Sequence, residues 1–154
     1  MDFDIIIEKL NEKISSRDGF EKIDIEKLSE TEQSFIEKYN PNNTLIIYGT
    51  LAPGRPNHFK IEHIKGVWKT GVLKGKLVNE GWGSDLGYFG FRHTKTDEQE
   101  NIEAFVLFSN DLIDNWAYLD EFEGEGYRRL LAKYELDNGE IGIGNIYAIN
   151  QAVD

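Results

Sequence analysis

The chain has 154 residues, 28 acidic against 17 basic side chains and a net charge of −11, which argues against nucleic acids and anionic membranes as partners. Its length and its 40% hydrophobic content, with three Trp and nine Phe, predict a folded globular domain instead of a disordered or membrane-embedded chain. No apolar run nears the roughly 18 residues of a spanning helix, no signal peptide opens the chain and cysteine is absent, so we expect a cytoplasmic protein without thiolate chemistry.

The first 43 residues differ from the rest, and we interpret residues 1–43 as an acidic helical extension to a domain over residues 44–154. Ser29 and Glu32 have the spacing of a capping box, which predicts a helix running to about Tyr39. The Asn-Pro-Asn-Asn sequence that follows ends this helix. The extension contains no candidate catalytic residue, and we expect it to pack on the main domain or on a partner.

From Thr44 onward the pattern becomes one of short β-strands separated by glycine-containing loops. The predicted strands are 44–48, 66–78, 88–91, 102–108, 128–136 and 140–149. Asp137-Asn138-Gly139 joins the last two strands in a β-hairpin. Short strands with one long internal helix predict an α+β domain with a small curved or closed sheet.

The internal helix, predicted over residues 109–124, ends with a carboxylate on its apolar side. Leu112, Trp116 and Leu119 are spaced four and three residues apart and form the stripe that should face the core. Glu123 follows Leu119 by four residues and lies within about 20° of Leu112 on the helix, whereas Glu121 lies on the opposite side.

A carboxylate directed at the core is costly unless it is paired, hydrogen-bonded or protonated. A raised carboxyl pKa is also what a general base near neutral pH needs, so Glu123 is a candidate for that role. Two structural alternatives remain open at this point. Glu123 could extend into solvent at the helix end, or it could form a buried ion pair with Arg128 or Arg129.

The second candidate segment is Tyr48-Gly49-Thr50-Leu51, where the first strand runs into a loop. Backbone N–H groups beyond the last ladder bond could bind an anion or a carbonyl oxygen, and Gly49 permits close approach. An ordinary strand–turn connection is the alternative. The three histidines lack metal-ligand spacing, and neither a phosphate loop nor a nucleophile elbow is present, so we expect no metal and no cofactor.

Together these segments resemble the γ-glutamylcyclotransferase-like family, which includes the γ-glutamylamine cyclotransferases and the plant AIG2-like proteins. Leu45-Ile46-Ile47-Tyr48-Gly49-Thr50-Leu51 resembles its opening strand and Tyr-Gly-Ser/Thr-Leu loop. Leu119-Asp120-Glu121-Phe122-Glu123-Gly124 with Tyr127-Arg128-Arg129 resembles its Leu-Asp-x-x-Glu-Gly and Tyr-x-Arg stretch. Gly87-Tyr88-Phe89-Gly90 stands where many members have Tyr-Pro-Gly-like residues, and it lacks the proline. The resemblance covers roughly residues 44–150.

The resemblance implies a small mixed β-barrel flanked by helices, with the N-terminal extension outside the family pattern. It also implies an enzyme that cyclises a γ-glutamyl amine or amino acid to 5-oxoproline and a free amine, with Glu123 as general acid/base and a small-molecule substrate as its partner. The implied substrate contacts are Tyr48, Gly49, Thr50, Leu51, Tyr88 and Tyr127.

Two alternatives to this function remain open at the level of sequence. One is a non-catalytic domain on the same scaffold that binds a small molecule or a protein, because a fold does not fix a function. The other is a related enzyme that acts on a γ-glutamyl group attached to a larger product. The sequence indicates neither the leaving amine nor the oligomeric state.

Overall fold

The structure, a computed structural model, describes residues 3–14, 25–48, 54, 58, 61–78, 90–92, 100–123 and 127–149. Within these ranges the helices are α1 (Phe3–Glu12), α2 (Glu30–Tyr39) and α3 (Trp116–Glu123), and the strands are β1 (Thr44–Ile47), β2 (Val67–Val78), β3 (Gly90–Arg92), β4 (Glu100–Phe108), β5 (Tyr127–Leu136) and β6 (Ile141–Ile149). Short 3₁₀ helices lie at Ile25–Lys27, Pro41–Asn43 and Asn110–Asp114. None of the helices in these ranges is long and apolar enough to cross a membrane.

The strands close into a barrel. Five of them form a ring in which β4 lies between β1 and β2, and β5 lies between β2 and β6. The ring closes where β6 returns to β1 in parallel, with Ile46 opposite Ile146. β3 pairs with β2 and touches β6 beyond the end of β1. The predicted α+β fold with a small mixed barrel is therefore confirmed.

Helices cover the outside of this barrel on two neighbouring areas. Side chains of β1 alternate between the inside and the outside of the barrel. Ile46 belongs to the core inside, whereas Leu45 and Ile47 lie outside, under α3. α3 contributes Trp116 and Leu119 to that outer layer. The second outer layer joins α1 and α2 to β5 and β6, with these buried members: Ile6, Ile7, Leu10, Ile14, Leu28, Phe35, Leu131 and Ile143.

The predicted capping box is present at the start of α2. The Ser29 hydroxyl accepts from the backbone N–H of Glu32, and the Glu32 carboxylate accepts from the backbone N–H of Ser29 at 2.8 Å. Lys13, which directly follows α1, donates to the same carboxylate at 2.6 Å. The capping box and the ion pair therefore join the two N-terminal helices. The division between residues 1–43 and 44–154 stays a prediction.

The internal helix differs from its prediction because it is broken at Asn115. Ser109 caps a 3₁₀ helix over Asn110–Asp114, and the backbone carbonyl of Asn115 then accepts the first bond of α3 from the N–H of Leu119, at 3.0 Å. Asn is a favoured residue at a helix N-terminus, which explains the restart. Leu112, Trp116 and Leu119 nevertheless have 0%, 2% and 0% of their surface exposed, as the apolar stripe predicts.

Candidate functional site

The strand register brings the predicted site segments to one end of the barrel. Tyr48 follows β1 directly, and the parallel pairing of Ile46 with Ile146 puts Tyr48 level with Ala148 on β6. Ala148 in turn pairs with Arg128, the second residue of β5. The end of β1 and the start of β5 therefore lie at the same height on the barrel.

Tyr147 connects this end of the barrel to α3. The Tyr48 hydroxyl donates to the backbone carbonyl oxygen of Tyr147 at 2.7 Å. The hydroxyl of Tyr147 donates to Oδ1 of Asp120 on α3 at 2.6 Å. Glu123 follows Asp120 by three residues, which is close to one helical turn. Two hydrogen bonds therefore connect Tyr48, at the end of β1, to Asp120, which lies one helical turn before Glu123.

A buried arginine forms the other half of this network. Nε of Arg129 donates to Oδ1 of Asp120 at 2.9 Å, and Nη2 donates to Oδ2 at 3.1 Å. Nη1 donates to Oδ1 of Asn145 at 3.3 Å, and the guanidinium carbon lies 4.2 Å from the centroid of the Trp116 ring. Arg129 is only 5% exposed, so its charge depends on these contacts instead of water.

The structure describes part of the predicted site. Tyr48 is half-buried at the end of β1, and Tyr127 begins β5, half-buried against the layer under α3. The backbone of Glu123 ends α3, whereas its side chain lies outside the described part of the structure. Gly49, Thr50, Leu51 and Tyr88 lie outside the described residues.

The two arginines proposed as ion-pair partners of Glu123 make different contacts. Arg129 forms the bidentate pair with Asp120 described above. Nη2 of Arg128 donates to the backbone carbonyl of Ile14, just beyond α1, at 3.2 Å. These contacts assign a structural role to each arginine within the described part of the chain.

Sequence reasoning did not predict this network: Asp120, Asn145 and Tyr147 were given no role, and Arg129 was considered only as a partner of Glu123. Asp120 and Arg129 were part of the family-like motifs, but spacing alone does not pair a helix residue with a strand residue. Asn145 carried a signal in the sequence, because it interrupts the apolar run of β6. In the structure this residue is fully buried. A buried amide needs hydrogen-bond partners, and Asn145 has two.

A cleft of about 500 Å³ lies near Thr44, at the start of β1, whereas Tyr48 follows the end of that strand. It is lined by Tyr39, Asn40, Asn43, Thr44, Lys65, Gly66, Phe108, Ser109, Asn110 and Asp111. Tyr48 and Tyr127, the two predicted site residues whose side chains the structure describes, do not line it. In the described ranges, no three His, Asp or Glu side chains are grouped so that they could hold a metal ion.

The protein is a small mixed barrel in which the end of β1, the end of α3 and the start of β5 lie at the same end. The sequence model of one family, described as gamma-glutamyl cyclotransferase, AIG2-like, matches residues 45–154. The chain belongs to this family. No curated protein matches the chain.

Solved structures agree with the family at the level of the fold. The chain is similar to an AIG2-like protein from Mus musculus, with 18% identity, a TM-score of 0.54 and coverage of 72% of this chain and 79% of that one. It is similar to YkqA from Bacillus subtilis, with 28% identity, a TM-score of 0.52 and coverage of 70% and 36%. A protein from Arabidopsis thaliana has 18% identity, a TM-score of 0.51 and coverage of 73% and 71%.

Proposed function

We propose that this protein cyclises a γ-glutamyl amine or γ-glutamyl amino acid to 5-oxoproline and releases the free amine, with Glu123 as general acid/base. Membership of the family over residues 45–154 is the observation that carries this proposal. The bridge from Tyr48 through Tyr147 to Asp120 supports it, because it ties the two family-like segments together.

The position of Glu123 around α3 supports its role as the base. This holds although the predicted helix is interrupted at Asn115, because the comparison can be made within α3. Within α3 alone, Glu123 lies within about 20° of Trp116 and about 40° of Leu119 around the helix axis. Both of those side chains are buried, whereas Glu121 is exposed. A carboxylate that loses hydration gains affinity for a proton, which is why we assign the general base to this face of α3.

In the proposed reaction the α-amine of the substrate attacks its own γ-carbonyl carbon. Glu123 removes a proton from the amine as the new C–N bond forms, and the carbonyl oxygen becomes an oxyanion in the tetrahedral intermediate. The intermediate collapses, the original γ-amide C–N bond breaks, and Glu123 returns the proton to the leaving nitrogen. Since nucleophile and electrophile share one molecule, the step needs neither water nor a redox cofactor.

The remaining proposed contacts hold the substrate. We assign the backbone N–H groups of Gly49, Thr50 and Leu51 to the substrate carboxylate or the oxyanion, because preorganised N–H groups stabilise such charge. Tyr48, Tyr88 and Tyr127 would border the substrate. The hydroxyl of Tyr48 is held by the carbonyl of Tyr147 at 2.7 Å, so its ring is oriented before substrate binds.

The test is incubation of the purified full-length chain with a panel of γ-glutamyl amino acids, γ-glutamyl amines and γ-glutamyl peptides, followed by mass spectrometry of 5-oxoproline. Blanks without protein correct for spontaneous cyclisation. We expect enzyme-dependent 5-oxoproline together with an equal amount of the released amine. Saturable binding of panel members without turnover would contradict the proposed activity and support the non-catalytic binding domain.

A further inference from the structure

A turn that precedes the family match is bonded to the network around Arg129. The backbone carbonyl of Pro41 accepts from Nδ2 of Asn145 at 2.8 Å. The next carbonyl, that of Asn42, accepts from the indole N–H of Trp116 at 3.1 Å. Both residues of the turn lie outside the matched range of 45–154.

The two side chains that bond to the turn also hold Arg129. Oδ1 of Asn145 accepts from Nη1 of the arginine, and the Trp116 ring lies under the guanidinium. Asn145 has no exposed surface and Trp116 is 2% exposed, so water cannot readily replace the bonds of either residue. Buried polar groups that lose a partner are costly, so these bonds constrain where Arg129 can lie.

α1 and Ile14, which lies just beyond it, bond to β5 on either side of the same arginine. The side-chain amide of Asn11 bonds the backbone of Leu131 twice, accepting from its N–H at 2.8 Å and donating to its carbonyl at 3.0 Å. On the other side, Arg128 donates to the carbonyl of Ile14. Arg129 therefore lies between two residues of β5, Arg128 and Leu131, that bond to the N-terminal extension.

α1 lies beside the part of β5 that comes before its pairing with β2. β2 pairs with β5 only over residues 71–73 and 134–136 in the described part of the structure. α1 packs beside the part of β5 that precedes this pairing, where the side-chain amide of Asn11 bonds both backbone groups of Leu131. The N-terminal helix is thus bonded directly to the strand that carries Arg129.

We infer that the N-terminal extension (residues 1–43), through Asn145 and Trp116 as positioning residues, sets the placement of α3 and hence of Glu123. The order of contacts is the carbonyls of Pro41 and Asn42, then Asn145 and Trp116, then Arg129, then Asp120, one helical turn before Glu123. The expected effect on kcat rests on the proposed function, whereas the expected effect on hydrogen exchange in α3 does not.

Two substitutions separate the turn from the network without removing the contacts to Arg129. Asn145→Asp keeps the acceptor for Arg129 and loses the donor to Pro41. Trp116→Phe keeps a ring under the guanidinium and loses the donor to Asn42. The matched controls are Asn138→Asp, in the exposed hairpin turn, and Trp68→Phe, which packs at the edge of the layer under α3.

The first measurement is backbone hydrogen exchange across the full-length chain, which needs no substrate. We expect exchange in α3 to rise about tenfold in both variants while exchange in the pairing of β2 with β4 stays unchanged, and we expect neither effect in the controls. A uniform rise over the whole protein, or no change in α3 in folded Trp116→Phe, would overturn the inference. This result stands whether or not a substrate has been found.

The second measurement compares kcat and KM with a substrate from the panel. We expect kcat to fall about 10- to 100-fold with little change in KM, because a base displaced by about 1 Å loses activity without losing substrate contacts. A kcat equal to that of the controls in an active enzyme would contradict the positioning role. Absence of turnover in the wild-type chain would count against the proposed function, and the exchange result would then decide the inference alone.

Discussion

Arg129 binds Asp120 through two parallel hydrogen bonds, Nε to Oδ1 at 2.9 Å and Nη2 to Oδ2 at 3.1 Å. Bidentate pairs of this kind are among the stronger and more directional side-chain interactions. The guanidinium is almost fully buried, whereas the Asp120 side chain is 32% exposed. Since β5 carries the arginine and α3 carries the carboxylate, the pair joins the barrel to the helix that ends at Glu123.

Removing the carboxylate should destabilise the fold. Asp120→Ala removes the bidentate ion pair with Arg129 and the hydrogen bond from the Tyr147 hydroxyl, so we expect the free energy of unfolding to fall by about 3 kcal/mol. Urea denaturation measures this change. Asp114→Ala, at an exposed aspartate of the preceding 3₁₀ helix, should change it by less than about 0.5 kcal/mol. Equal values for the two variants would show that the ion pair contributes no stability.

Gly71 closes the barrel between β2 and β5, and a side chain there should force the two strands apart. A Cβ atom at this position would overlap the backbone carbonyl oxygen of Glu135 and lie 2.8 Å from Cα of Leu136. Because backbone atoms cannot turn aside, we expect Gly71→Ala to lower the free energy of unfolding by about 2–3 kcal/mol. Glu103→Ala, on the exposed side of β4, is the control, and equal unfolding midpoints would contradict the close approach.

Glu32 should make the stability of the N-terminal helices depend on acidic pH. Burial raises the pKa of this carboxyl, but hydrogen bonds from Lys13 and Ser29 outweigh it and leave the pKa below its usual range. The native state therefore holds Glu32 ionised to a lower pH than the unfolded state does. Its contribution is present above the unfolded pKa of about 4.3 and is lost as pH falls through the lower folded pKa.

Thermal unfolding of wild type and Glu32→Gln between pH 7 and pH 3 measures this contribution. We expect the difference between their midpoints to be constant at neutral pH and to shrink below about pH 4.3. The exposed Glu37 on the same helix supplies the control variant, Glu37→Gln. A difference that does not vary with pH would rule out the ionised form of Glu32 as its source.

Tyr134 should cause a loss of stability at alkaline pH. Burial in the barrel, with the nearby negative charge of Glu140, raises the pKa of Tyr134 to about 12. An unfolded tyrosine ionises near 10, so the native state retains a proton that the unfolded state releases, and stability falls as pH rises from about 10 to 12. Tyr134→Phe should reduce this slope relative to wild type, whereas Tyr118→Phe, at a tyrosine that is 43% exposed, should preserve it.

The local elements were predictable from the sequence because their signals are local. The capping box of Ser29 and Glu32 forms as expected, and Gly139 takes a φ of +92° in the predicted hairpin turn. The break at Asn115 was missed although its cause is local. Leu112, Trp116 and Leu119 keep their apolar spacing across it, so the periodicity gave no sign of the interruption.

The closure of the barrel and the Arg129 network were not predictable in the same way. The parallel pairing of β1 with β6 joins segments about a hundred residues apart, and no turn sequence specifies it. Likewise, Arg128 and Arg129 are equivalent by spacing until the register of β5 decides which of them faces α3. Asn145 could have been recognised as part of a buried polar network, but its partner, the carbonyl of Pro41, is a backbone atom that carries no sequence signature.

The most direct test of the proposed function is the rate of 5-oxoproline formation by Glu123→Gln, measured beside wild type and Glu121→Gln on the exposed side of α3. The amide keeps the shape of the side chain and removes the base, so we expect the rate to fall about 10²- to 10⁴-fold with the fold equally stable. Glu121→Gln should retain wild-type activity. Equal rates for the two variants, or unfolding of Glu123→Gln in place of loss of activity, would contradict the assignment of Glu123 as general acid/base.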